Sequence, residues 1–193
     1  MLIIRGSPAL SSFRLQKLAQ DLTASGVPVR ALSAEFVHVA KLTGELTAAL
    51  RDVLEKLLTY GPTRPPEKIS GLLQVVAPRP GTISPWSSKA TDIAHICGLT
   101  AIKRIERVIA YTVAFDSGYS PPATHCSLLS SKLHDRMTQV VFGEVAACDA
   151  LFRHESPRAM ASVPVLAQGR AADRKSTRLN SSHLRLSRMP SSA

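Results

Sequence analysis

Aromatic residues are scarce in this chain, 5% of 193 residues with a single tryptophan, Trp86. A core must therefore be built from Leu, Val, Ile and Ala, and a hydrophobic content of 45% supplies enough of them. Cysteine is equally scarce. Cys97, Cys126 and Cys148 are odd in number and widely spaced, so they offer neither a disulfide framework nor a C-x-x-C metal pair. No apolar run approaches the roughly 20 residues that span a bilayer. The start, Met1 to Arg5, lacks the charged region, long apolar stretch and cleavage site of a secretory signal. Also missing are the G-x-x-x-x-G-K-[ST] phosphate loop, the G-x-G-x-x-G fingerprint, the G-x-S-x-G elbow and H-E-x-x-H spacing. The expectation is a soluble, cytoplasmic chain with no membrane partner, no metal ligands, no cofactor and no catalytic residues of its own.

The formal charge of +10 suggests a nucleic-acid partner until its distribution is read. Of 24 basic and 14 acidic residues, five and one lie in 173–193, which leaves 19 and 13 in the first 172 residues, a net of +6. That balance is modest, and nucleic acid is not expected as a partner. Residues 173–183 are what one frame of a widely used short-read sequencing adapter encodes, and residues 187–193 continue it beyond a barcode. The segment 173–193 is therefore read as an adapter-derived, disordered tail, set aside from fold reasoning. The chain then ends because the read ended.

Across residues 1–172 strand and helix alternate. Leu2–Arg5 is apolar, and Ser7 is placed to cap a helix beginning at Pro8, with Leu15, Leu18 and Leu22 at helical spacing. Residues 29–40 read as extended, with Phe36, His38 and Ala40 opposite Val37 and Val39. The clearest helix follows, with an apolar stripe of Leu46, Ala49, Leu50, Val53, Leu54, Leu57 and Leu58. After Gly61-Pro62 come a short strand at 72–76, a helix from about Ser88 to Cys97 and a strand at 105–115. In that strand Ile109, Tyr111, Val113 and Phe115 share a face. A long final helix is expected from Leu128 to Phe152, with Met137 pointing inward. The pattern predicts an α+β fold, a small sheet packed by helices, with two β-α-β-α halves.

The densest chemistry lies between Pro78 and Leu99. Three prolines stiffen the loop, and Ser87 or Ser88 can cap the helix that follows. A helix N-terminus collects unpaired N–H groups and suits an anion, to which Lys89 and Arg79 add positive charge. Ala90, Ile93, Ala94 and Cys97 form the expected buried stripe, leaving Ser88, Asp92 and His95 outside. The candidate anion or interface loop is Arg79, Thr82, Ser84, Trp86, Ser87, Ser88, Lys89, Asp92 and His95. From physics alone the same residues better suit a plain structural or interface loop with Trp86 as a packing anchor. His38, His125 and His134 read as satisfied polar residues rather than ligands.

Pro78 to Leu99 resembles the N-terminal signature of large, single-chain phosphoribosylformylglycinamidine synthases. Arg5 to Ser11, Ala34 to His38, Tyr60 to Pro62, Leu133 to Met137 and Val165 to Arg170 match with their spacing kept. Ile96 departs from the family, which usually has asparagine there. The resemblance implies an assembly domain of a purine-biosynthetic ligase that uses glutamine, ATP and magnesium to turn formylglycinamide ribonucleotide into its amidine. It implies a small-subunit-like domain at 1–152 and the start of a linker domain at 153–172. The implied partners are the synthetase and glutaminase domains of the same chain, absent from this sequence, and with them go the ATP and magnesium sites. No cysteine here inherits a nucleophile's role. Alternatives from other classes are a free-standing basic nucleic-acid-binding or protein-interaction module, and a small enzyme built on Lys89, Asp92 and His95.

Overall fold

Two long strands of equal length dominate the architecture, both rich in Val, Ile and Ala. In the computed structural model, which describes residues 1–62, 69–116, 118–153, 159 and 162–172, these strands are β2 (Val29–Leu42) and β4 (Ile102–Phe115). They pair antiparallel along nearly their whole length. Around them lie β1 (Leu2–Pro8), α1 (Ser12–Ala24), α2 (Ala48–Leu58), β3 (Leu72–Pro78), α3 (Pro85–Ile96), α4 (Ala123–Leu133) and β5 (Gln139–Phe142). The sheet order is β1-β2-β4-β3-β5, antiparallel throughout.

The two expected halves are present as β1-α1-β2-α2 and β3-α3-β4-α4, with lengths of 7, 13, 14 and 11 residues against 7, 12, 14 and 11. Register repeats too. Leu2, the first residue of β1, faces Ala40, the twelfth of β2; Leu72, the first of β3, faces Val113, the twelfth of β4. The eighth residues of the long strands, Phe36 and Ile109, face each other. A pseudo-twofold axis therefore passes between Phe36 and Ile109.

All four helices lie on one sheet face. Leu22 of α1 with Leu129 and Leu133 of α4 packs on Leu32, Ala34, Tyr111 and Val113. Leu54 and Leu58 of α2 with Ala94 of α3 packs on Ala40, Ile102 and Ile105. The other face, carrying Val37, Val39, Val108 and Ala110, is covered by Phe142 and by Cys148 and Leu151 of a 3-10 helix, Ala146–Phe152. Successive side chains of β2 and β4 point to opposite faces, and because both faces are covered, consecutive residues such as Val39 and Ala40 are both buried. Gly71 lies so close to the Val113 carbonyl that a Cβ there would collide with its oxygen.

Three expectations change. The first helix is capped by Ser11, whose side chain accepts from the Arg14 N–H, because Ser7 and Pro8 are drawn into β1. The third helix starts earlier: Ser84 is its cap and Pro85 its first residue. The long final helix does not exist. His134 turns the chain out in extended conformation, and Asp135 accepts from Met137 N–H at 2.9 Å and from the Thr138 hydroxyl at 2.8 Å. Val140 and Val141 then pair with the edge of β3, and Met137 is exposed. An open strand edge outweighs the helical spacing of a β-branched segment.

By Cα packing the chain divides into two units, Met1–His154 and Glu155–Ala193. In the second unit the structure describes a short helix, Val165–Gln168 (α5). The adapter-matching segment 173–193 lies outside the described residues.

Candidate functional site

The loop from Arg79 to Ser84 and the start of α3 are organised by two residues of β4 that sequence reasoning passed over, Arg104 and Glu106. Glu106 is fully buried. Its carboxylate accepts from the Ser84 N–H at 3.2 Å, from the Ser84 hydroxyl at 2.9 Å and from the Arg104 guanidinium. Arg104 also donates to the Thr82 carbonyl at 2.7 Å and the Leu151 carbonyl at 3.2 Å, and lies over the Phe152 ring. The chain's own carboxylate thus meets the N–H that precedes α3. The only sequence sign of Arg104 and Glu106 was their charge at alternate positions of a strand.

The nine candidate residues part company around this cluster. Ser84 accepts from the Ser87 N–H at 3.0 Å as a helix cap while bonding Glu106. Ser87 is buried and donates to the Ile105 carbonyl at 2.5 Å. Thr82 closes a turn on the Arg79 carbonyl at 2.6 Å, and Arg79 reaches the Met137 carbonyl at 3.3 Å. His95 donates from Nε2 to the Ile102 carbonyl at 2.6 Å. Ser88, Lys89 and Asp92 are exposed. The expected buried stripe of α3 is corrected: Ser87 and Ala94 face inward, whereas Ile93 and Cys97 are exposed. The early cap at Ser84 and the clamp on Ser87 set the helix rotation. Ile96 is 85% exposed, where the family's usual asparagine would sit in water.

Trp86 points to a second cluster, assembled on the α2/α3 side of the pseudo-twofold axis. The Arg107 guanidinium lies over the Phe36 ring at 4.4 Å and the Trp86 ring at 4.9 Å, a planar cation between two π faces. Its Nη1 donates to the Tyr60 hydroxyl at 3.2 Å. Tyr60 Oη, already accepting, is 2.7 Å from His38 Nε2 and can give its own hydrogen there. That leaves the proton of a neutral imidazole on Nδ1, a buried atom without a hydrogen-bond partner among the described residues. Burial, then the nearby Arg107 charge, hold the His38 pKa down at about 4, opposed by the Ile4 backbone. Gly6 makes room, since a Cβ there would lie 2.7 Å from His38 Cε1.

Symmetry is broken at this spot. His38 and Tyr111 are the tenth residues of β2 and β4, Ala34 and Arg107 the sixth, and Gly6 and Val76 the fifth of β1 and β3. The α1/α4 side thus has an apolar Val76, Tyr111 and Ala34 where the α2/α3 side has glycine, histidine and arginine. Tyr60 and Trp86 also line a partly open cavity of about 220 Å³ on the α2/α3 side, together with Leu54, Leu57, Lys89, Ile93, Ala94 and Ile105.

No group of three or more His, Cys, Asp or Glu suited to a metal occurs among the described residues. No helix of the described residues is long and apolar enough to cross a membrane. Comparison with protein families matches residues 35–152 to the family described as formylglycinamide ribonucleotide amidotransferase N-terminal.

Proposed function

Because the chain belongs to the formylglycinamide ribonucleotide amidotransferase N-terminal family, an assembly domain of a purine-biosynthetic amidotransferase, we propose that it acts by docking and performs no chemistry itself. The observation that carries this reading is how the polar groups are used. The polar groups that hold the Arg79–His95 region are committed to the fold: buried Glu106 of β4 to Arg104 and Ser84, buried Ser87 to Ile105, and the exposed His95 to Ile102. Left facing outward on α3 are the apolar Ile93 and Ile96 among the polar Ser88, Lys89 and Asp92, beside an open cavity. An exposed apolar patch rimmed by polar residues suits a protein partner.

The partners in this reading are the synthetase and glutaminase domains of the same enzyme. There, ATP, magnesium and glutamine would convert formylglycinamide ribonucleotide to the amidine, in the cytoplasm, on residues outside this sequence. The candidate loop from Arg79 to Ser88 serves as a strut that fixes α3, and the outward face of α3, with Lys89 and Asp92, meets the neighbour. The test is reconstitution. Mixed with the separately expressed synthetase–glutaminase remainder, the chain should bind and raise glutamine-dependent amidine formation, while showing no ammonia-dependent ATP hydrolysis alone. Turnover by the chain alone, or no association, refutes the reading.

A further inference from the structure

Within that docking reading, on which this inference rests, we propose that the α2/α3 cavity receives one large apolar side chain from the partner domain, flanked by carboxylates that settle on Lys89 and Arg107. Three observations converge. The cavity of about 220 Å³ is smaller than the roughly 300–1,000 Å³ of small-molecule sites and suits one large protruding side chain. Its wall is apolar, made of Leu54, Leu57, Leu58, Ala90, Ala94 and Ile105, and offers little to orient a polar metabolite. Two cations adjoin it, Lys89 in its lining and Arg107 against its Tyr60 and Trp86, and among the described residues neither has a carboxylate partner.

Arg107 is built to receive such a group. Phe36 and Trp86 hold its plane, and Tyr60 takes one N–H, so the fork is ordered before any partner arrives. His38 is kept neutral and beneath Tyr60, so no second cation competes there. Tyr60 and Trp86 border both the cavity and the guanidinium, so an apolar anchor and an adjacent carboxylate are recognised together. The opposite side of the pseudo-twofold axis lacks this device, its counterparts being Ala34 and Tyr111 packed in the core. Aromatic-walled pockets with an arginine are where interface free energy concentrates.

The test uses the full chain and the separately expressed remainder of the enzyme, with affinity measured by titration calorimetry at two salt concentrations. Ala90→Phe fills the cavity and should weaken binding about thirtyfold, as the loss of a central anchor does. Lys89→Glu changes an exposed residue and so leaves folding alone; it should weaken binding several-fold and flatten the salt dependence. Lys17→Glu on exposed α1 is the control and should bind as wild type. Wild-type binding with Ala90→Phe and Lys89→Glu both unaffected overturns this proposal while the docking reading stands. Absence of wild-type binding removes both. Self-association of the chain, abolished by Lys89→Glu, would give the cavity to a second copy and also overturn it.

Discussion

Replacing Glu106 tests the internal logic of the strut most directly. Its carboxylate is fully buried, whereas the Arg104 side chain keeps 17% exposure. Removing one member of a buried pair leaves the other uncompensated, at a cost of about 3–5 kcal/mol. Glu106→Ala strands a cation that water still reaches, which places it near about 3 kcal/mol. Arg104→Ala strands a carboxylate held only by Ser84, which places it nearer about 5 kcal/mol. At about 2–4 °C per kcal/mol for a domain of this size, Glu106→Ala lowers the melting temperature by roughly 6–12 °C. The double replacement by Met removes both charges together and should cost far less than the two single changes combined, near or below about 2 kcal/mol. Urea unfolding reads all four proteins. Trp86, the only tryptophan, reports the loop by fluorescence, and circular dichroism reports the whole. Single variants within about 1 kcal/mol of wild type, or a double variant equal to the sum of the singles, would refute the strut.

Acid should weaken the fold through His38. Its folded pKa of about 4 lies below the ordinary 6.5, so the unfolded chain binds the extra proton first. Stability is then full above pH 6.5, falls as pH drops toward 4, and loses on the order of 2–3 kcal/mol. Urea midpoints between pH 7 and 4 check this, and a His38→Gln chain should lose that part of the dependence. Gly71→Ala drives a methyl into the Val113 carbonyl, a backbone atom that cannot yield, and should cost more than about 2 kcal/mol in the same assay; a neutral result contradicts the close approach. Burial pushes the Cys148 thiol up to about 11. Alkylation of the native chain at pH 8, read by peptide mass spectrometry, should therefore label exposed Cys97 and spare Cys148 until unfolding.

Sequence pattern located the elements where one period dominated. The stripe of Leu50, Leu54 and Leu58 and the alternation of Tyr111, Val113 and Phe115 are local signals, and both describe the observed buried faces. It failed where a distant partner decided. Residues 134–142 carry helical spacing, yet the chain turns at 134–138 and the free edge of β3 takes Gln139–Phe142 as a strand. Ser87 looked like a cap, but the carboxylate that makes Ser84 the cap lies 22 residues away. The family resemblance needed only the Pro78–Leu99 string and its flanking matches.

By itself, then, the chain's one-dimensional order settled the α+β class, the two halves and the family, because hydrophobic period and motif spacing are properties of neighbouring residues. The assembly of His38, Tyr60, Trp86 and Arg107, and the cavity behind them, was decided by folding alone. Those side chains come from β2, the loop after α2, α3 and β4, and only the antiparallel register about Phe36 and Ile109, closed by α2 and α3, brings them within reach of one another. Register depends on both faces of the sheet being buried at once, a requirement no local stretch of sequence contains.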